Sequence, residues 1–237
     1  VKTVRLSHLQ LSCKKAHRRT AHWNWADDLS HLSNRRLLAW RKTVDRLMEV
    51  LDSAESALVA MDSWTLGGRA RVFLKTVELG VDRERTLLHR YRRNTFAFRP
   101  DWAFRLEREE AFARILRFRE DPLAGFLVMK AYSEIMAESL SILAKTSQTD
   151  GAQNLLTLLS HFSRDQRLHA QGFLLLVKAE LKQRPPLNWA ERLWIRGVLT
   201  GLKLYARRKG LGDPAKFMAI VDRAIQDALI DCTVLDS

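Results

Sequence analysis

From Leu123 to Arg184 the chain runs without a proline, and its one cluster of turn-forming residues there is TSQTDG at 146–151. Proline removes a backbone donor and clashes with the preceding turn, so a stretch without it is free to form long helices. On both sides of TSQTDG apolar residues recur at three- and four-residue spacing. The pattern predicts two long antiparallel helices, GFLVMKAYSEIMAESLSILAK and AQNLLTLLSHFSRDQRLHAQGFLLLVKAEL, with QRPP ending the second. Such a hairpin cannot bury its own apolar faces, so it must pack against further helices.

The rest of the chain supplies them. A broad apolar stripe predicts a helix from about Asn34 to Met61, with Ser33 as its cap. DSWTLGG breaks the pattern at Gly67 and Gly68, and a second helix runs from about Arg69 to Arg93. Beyond the loop NTFAFRPDW, LEREEAFARILRF carries its acids early and its bases late, as the helix dipole favours. After QRPP, NWAERLWIRGVLTGLKLYARRKG begins at a capping Asn188, and AKFMAIVDRAIQDALI is amphipathic. No strand-like alternation competes, and Gly and Pro number only 10 and 5 in 237 residues. The expectation is an all-α domain over residues 33–237, preceded by a basic arm over 1–32.

That arm holds His8, His17, His22 and His31 at spacings of 9, 5 and 9, which match no standard zinc pattern. It reads as an arm docking on the bundle through Trp23 and Trp25, with nucleic-acid binding as the sharper alternative. Cys13 and Cys232 lie near opposite ends and form no CxxC motif, so free thiols in a reducing compartment are the default. No apolar run reaches the roughly 18 to 20 residues that span a bilayer. No secretory signal is legible, which points to the cytoplasm or an organellar matrix.

Polar groups interrupt the apolar faces of the central hairpin. Glu134 and Glu138 are four apart and share a face, as do Asp165 or Gln166 with His169. Glu134 and His169 are separated by 169 − 134 = 35 residues, a separation that can set them opposite each other across a hairpin. A carboxylate facing a His motif on a neighbouring helix is half of the set that holds two irons in a four-helix bundle. The bland alternatives are a surface glutamate and a satisfied core histidine. Elsewhere Glu78, Glu84, His89 and the acids Asp45, Glu49, Asp52 and Glu55 are candidates to face inward.

From Asp121 to about Ile230 the chain resembles the plant- and mycobacterial-type acyl-carrier-protein desaturases of the ferritin-like diiron superfamily. DPLAGF at 121–126 is similar to the opening of that family's third core helix, and YSEIMAESLSI to its Q-E-R-A-T helix. RDQRLH at 164–169 is similar to its D-E-K-R-H motif, and ARRKGLGDPAKFMAIVDRAI to its C-terminal segment. LLHRY at 87–91 is similar to the L-L-N-R-Y that comes after its E-E-N-R-H motif. The resemblance implies a ferritin-like four-helix bundle core with additional C-terminal helices. It places Glu134 on the bridging carboxylate, and Asp165, Gln166 and His169 on the Asp, the ligand Glu and the ligand His. It also places Val81 on a ligand Glu and Glu84 on a ligand His, and leaves Asp45 or Glu49 for the first helix. The departures are Gln166, Val81 and Glu84, since a diiron site wants four carboxylates. Asp165 or Glu138 could substitute by a shift of register.

For function, the resemblance implies an oxidase acting on an acyl substrate, free or bound to an acidic acyl carrier protein. Its metal would be iron, two ions or one, or manganese, and a homodimer is implied. A metal-free scaffold or subunit binding an acidic partner stands beside that reading, and nucleic-acid binding stands third. The net charge of +13 draws anionic partners in all three cases. Arg83, Arg85, Arg90, Arg92 and Arg93 are the expected contact residues.

Overall fold

The computed structural model describes residues 26–64, 67–96 and 120–208, with positions 6, 7, 9, 11, 12, 215, 216, 219, 220, 222, 223 and 226. Five helices carry the fold: α1 Asn34–Asp62, α2 Gly68–Thr95, α3 Pro122–Thr149, α4 Gln153–Gln183 and α5 Trp189–Arg208. Among the described residues there is no strand. The expected helix LEREEAFARILRF, the arm's Trp23 and Trp25, and both cysteines lie outside the described residues.

Local chemistry sets the helix ends. Ser33 accepts the Arg36 amide at 3.3 Å and starts α1 as expected. Asp121 caps α3 by accepting the Leu123 amide at 3.1 Å, with Pro122 at the first helical position, where its missing N–H costs nothing. At α5, Asn188 and Glu191 exchange hydrogen bonds of 2.9 Å in a capping box. One boundary differs from expectation. The polar run after Lys145 continues the helix to Thr149, because Thr146 and Thr149 donate back to the carbonyls of Ile142 and Lys145. The turn itself falls on Gly151, which adopts a φ of 71°.

Contacts between helices fix their directions. The pairs Arg92–Asp45, Arg85–Asp52 and Arg71–Asp62 step oppositely along α1 and α2, so these helices are antiparallel. Trp40 with Asp150, Val50 with Tyr132, and Met61 with Gly125 do the same for α1 and α3. Glu84 with Gln166 and Phe73 with Gly172 do it for α2 and α4. Every neighbour in the four-helix square is thus antiparallel, while α2 and α3 are parallel on a diagonal. The end of α2 and the start of α3 therefore lie at opposite ends of the bundle. The two antiparallel hairpins, α1–α2 and α3–α4, together make a four-helix bundle.

The core is a continuous apolar cluster, including Phe73, Leu88, Phe173 and Trp64, none more than 2% exposed. Helix α5 lays Ile195, Val198, Leu199, Leu202 and Ala206 against this bundle as an additional C-terminal helix. Its Tyr205 donates to the Ser53 hydroxyl at 2.8 Å, tying it to α1. Among the described residues no helix is long and apolar enough to cross a membrane.

The segment 26–31 completes the fold. Ala152, at the N-cap of α4, offers no side-chain acceptor. Asp27 does so instead, taking the amides of Asn154 at 2.9 Å and Leu155 at 3.0 Å, and it also accepts the Tyr91 hydroxyl at 3.0 Å. A carboxylate at this end also suits the helix dipole. Substituting Asp27→Ala is expected to lower stability by about 1–2 kcal/mol, the usual cost of a lost cap. Asp27→Asn should retain most of that difference. Urea denaturation monitored by circular dichroism measures both, and equal midpoints for wild type and Asp27→Ala would refute the role.

Candidate functional site: a polar cluster in the bundle core

Helix α2 presents Phe73, Val77, Val81, Glu84, Leu88 and Tyr91 to the core at three- and four-residue spacing. Glu84 is the one carboxylate in that stripe, and it is 2% exposed. Opposite it, α4 buries Asp165, Gln166 and His169 between Phe162 and Phe173. His169 is completely buried. The Gln166 amide nitrogen donates to Glu84 Oε2 at 2.9 Å.

Two acceptors in this pair, Glu84 Oε1 and Gln166 Oε1, have no hydrogen-bond partner. Burial pushes the Glu84 carboxyl well above its usual range, and the charge of Asp165 adds to the effect. A neutral Glu84 carries an O–H, which supplies the donor that the carboxylate form of the pair lacks. Acid and amide then satisfy each other without a net charge in the core. Asp165 is raised by burial from its ordinary 3.8 to about 6, against the opposing pull of Arg83 and Arg164. Beside the cluster, Tyr132 donates to the Val50 carbonyl at 3.1 Å, and burial pushes its phenol well up.

The other expected site residues lie elsewhere. Val81 is an apolar core residue, 1% exposed. Glu134 sits half-exposed at the rim of the bundle, where Lys130 holds it at 3.1 Å. Glu138 is bound by Lys216 at 2.8 Å. On α1, Asp45 is buried and accepts from Arg92, while Glu49 is half-buried. The structure thus brings Glu84, Asp165, Gln166 and His169 into one part of the core and leaves Glu134 outside it. Among the described residues no three His, Cys, Asp or Glu side chains gather closely enough to hold a metal ion.

The arginine run on α2 divides in the same way. Arg85 bonds Asp52 at 2.8 Å and Asp82 at 2.7 Å, and also reaches Glu55. With Arg92 on Asp45, two of the five guanidinium groups are cross-links within the α1–α2 hairpin. Arg83 is half-buried, and burial lowers its pKa. Arg90 and Arg93 are exposed.

Sequence reasoning missed Lys130, which is 2% exposed. A single lysine inside GFLVMKAY was the available signal. It also missed Asp150, which accepts Arg36 Nε at 2.7 Å and Trp40 Nε1 at 2.6 Å and so holds the α3–α4 turn against α1.

No protein-family model, curated protein or solved structure matches this chain.

A raised carboxyl pKa gives stability that is complete below the unfolded-state value and is lost as pH rises through the folded one. For Asp165 that window runs from 3.8 to about 6. The melting temperature of the wild type should therefore fall between about pH 4 and about pH 7. Asp165→Asn should flatten this dependence and be the more stable form at the upper pH, by on the order of 2 kcal/mol. Differential scanning calorimetry across the range decides it, and parallel curves for the two proteins would count against the assignment.

Proposed function

We propose that this chain is a ferritin-like bundle that works by docking an acidic protein partner, with a core closed by side-chain hydrogen bonding instead of metal. The observation that carries this reading is an imbalance of exposed charge on the α1–α2 hairpin. Arg35, Lys42 and Arg46 lie along the outer side of α1, and Arg90 and Arg93 along the outer side of α2 at the same end. Four of the nearby acids are already engaged: Asp45 by Arg92, Asp52 and Glu55 by Arg85, and Asp150 by Arg36. A surplus of cations faces solvent, suited to an acidic surface such as that of an acyl carrier protein.

The core supports the same reading. Two irons want four carboxylates among their ligands. Among the described residues the buried acids near His169 are Glu84 and Asp165, and Glu84 is bonded to a neutral amide. Glu134 is outside, on Lys130. Among the described residues this donor set does not fit a diiron centre. The acyl-oxidase reading therefore stands as the outcome that would replace this one.

Two measurements test the proposal together. After anaerobic loading with iron, and separately with manganese, the metal per chain measured by mass spectrometry is expected to stay far below stoichiometric. Titration calorimetry against an acidic carrier protein should show saturable binding that weakens with salt. The double charge reversal Arg90→Glu, Arg93→Glu should weaken it by at least about tenfold. Stoichiometric iron with dioxygen uptake would replace the proposal with the oxidase. Tighter, salt-steep binding to nucleic acid than to the carrier protein would replace it with the third reading.

A further inference from the structure

A second site lies on the opposite hairpin. Between α3, α4 and the helical residues 216, 219, 220 and 223, a groove of about 490 Å³ is lined by Glu134, Ala137, Glu138, Arg167, Lys216, Ala219, Ile220 and Arg223. That size falls within the range of small-molecule sites. Its charges do not cancel. Glu134 is paired with Lys130 and Glu138 with Lys216, so four of the charges form two neutral pairs. Arg167 and Arg223 remain, both exposed and both lining the groove. Among the described residues neither has an ion-pair partner. Ala137, Ala219 and Ile220 supply the groove's apolar part.

We propose that this groove binds a phosphate monoester, with Arg167 and Arg223 gripping the phosphate and the apolar residues receiving its organic part. Two uncompensated guanidinium groups match a dianion in charge. Their planar donor forks also match phosphate oxygens in shape. The groove's volume favours a small ester over a larger polyanion. The proposal is independent of the partner surface on α1 and α2, which lies on the other hairpin and uses other residues.

Butyl phosphate and inorganic phosphate are the probes, with titration calorimetry and amide chemical shifts at constant ionic strength as the readouts. Butyl phosphate is expected to bind saturably and at least about tenfold more tightly than inorganic phosphate, since burying a few methylenes is worth more than about 1 kcal/mol. The Arg167→Gln, Arg223→Gln variant should lose at least about tenfold in affinity. Ile220→Ser should lose only the preference for the butyl ester, and Arg90→Gln should change nothing. Because the arginines are exposed, helix content by circular dichroism should be unchanged in each variant. Flotation with phosphatidic-acid vesicles separates the sources of the phosphate. Binding there that depends on Arg167 and Arg223 assigns the ligand to a lipid headgroup, and its absence assigns a soluble ester. Equal affinity in wild type and the double arginine variant, or no preference for butyl phosphate, overturns the proposal.

Discussion

Two aromatic contacts set the distance between the hairpins. At the α2–α4 seam the Phe73 ring lies on the backbone of Gly172, so closely that a Cβ built there would come within 2.0 Å of the ring. At the α1–α3 seam Trp64 lies on Gly125, where the corresponding distance is 2.7 Å. A side chain at either glycine would push the hairpins apart, because a close-packed interior has no slack to absorb it. The polar cluster depends on that spacing. Gln166 reaches Glu84 only while α2 and α4 hold this separation, and Phe73 packs edge-on against Phe173 one turn from His169.

Buried polar groups and surface charges divide the labour. Inside, Glu84 is matched to the Gln166 amide, and burial favours the uncharged form of that carboxyl. Outside, acids on α1 are matched to Arg85 and Arg92, so the hairpin is cross-linked where its two helices face each other. The cations left over point outward. Among the described residues of this hairpin, Arg35, Lys42, Arg46, Arg90 and Arg93 are exposed on a surface where Asp45, Asp52 and Glu55 are already paired.

Much of this was legible from residue patterns. Helical periodicity and two clear breaks, at Gly67–Gly68 and Gly151, led to the helices with shifts of a few residues at their ends. Glu84 was legible only as one of three inward candidates, beside Glu78, which is half-buried, and His89, which is exposed, and Gln166 only as an alternative to Asp165. The place of Glu134 was not legible, and the reason is physical. Helix α3 is buried on all sides from Leu123 to Ser133, packed by α1, α4 and α5, so no single stripe reveals which side faces α4. Spacing along α3 could pair Glu134 with His169 as readily as with Lys130. Asp27 was hidden for another reason: its partners lie 127 and 128 residues away, beyond any local pattern.

That same separation bears on how the chain assembles. The α3–α4 hairpin closes through a short turn and local contacts, so it can form early. The donors at the head of α4 must then wait for a carboxylate from far upstream, across a loop whose closure costs entropy. Asp27 therefore acts as a latch on a hairpin that is otherwise complete. We expect its hydrogen bonds to be absent from the folding transition state, so that their loss speeds unfolding and leaves the folding rate nearly unchanged.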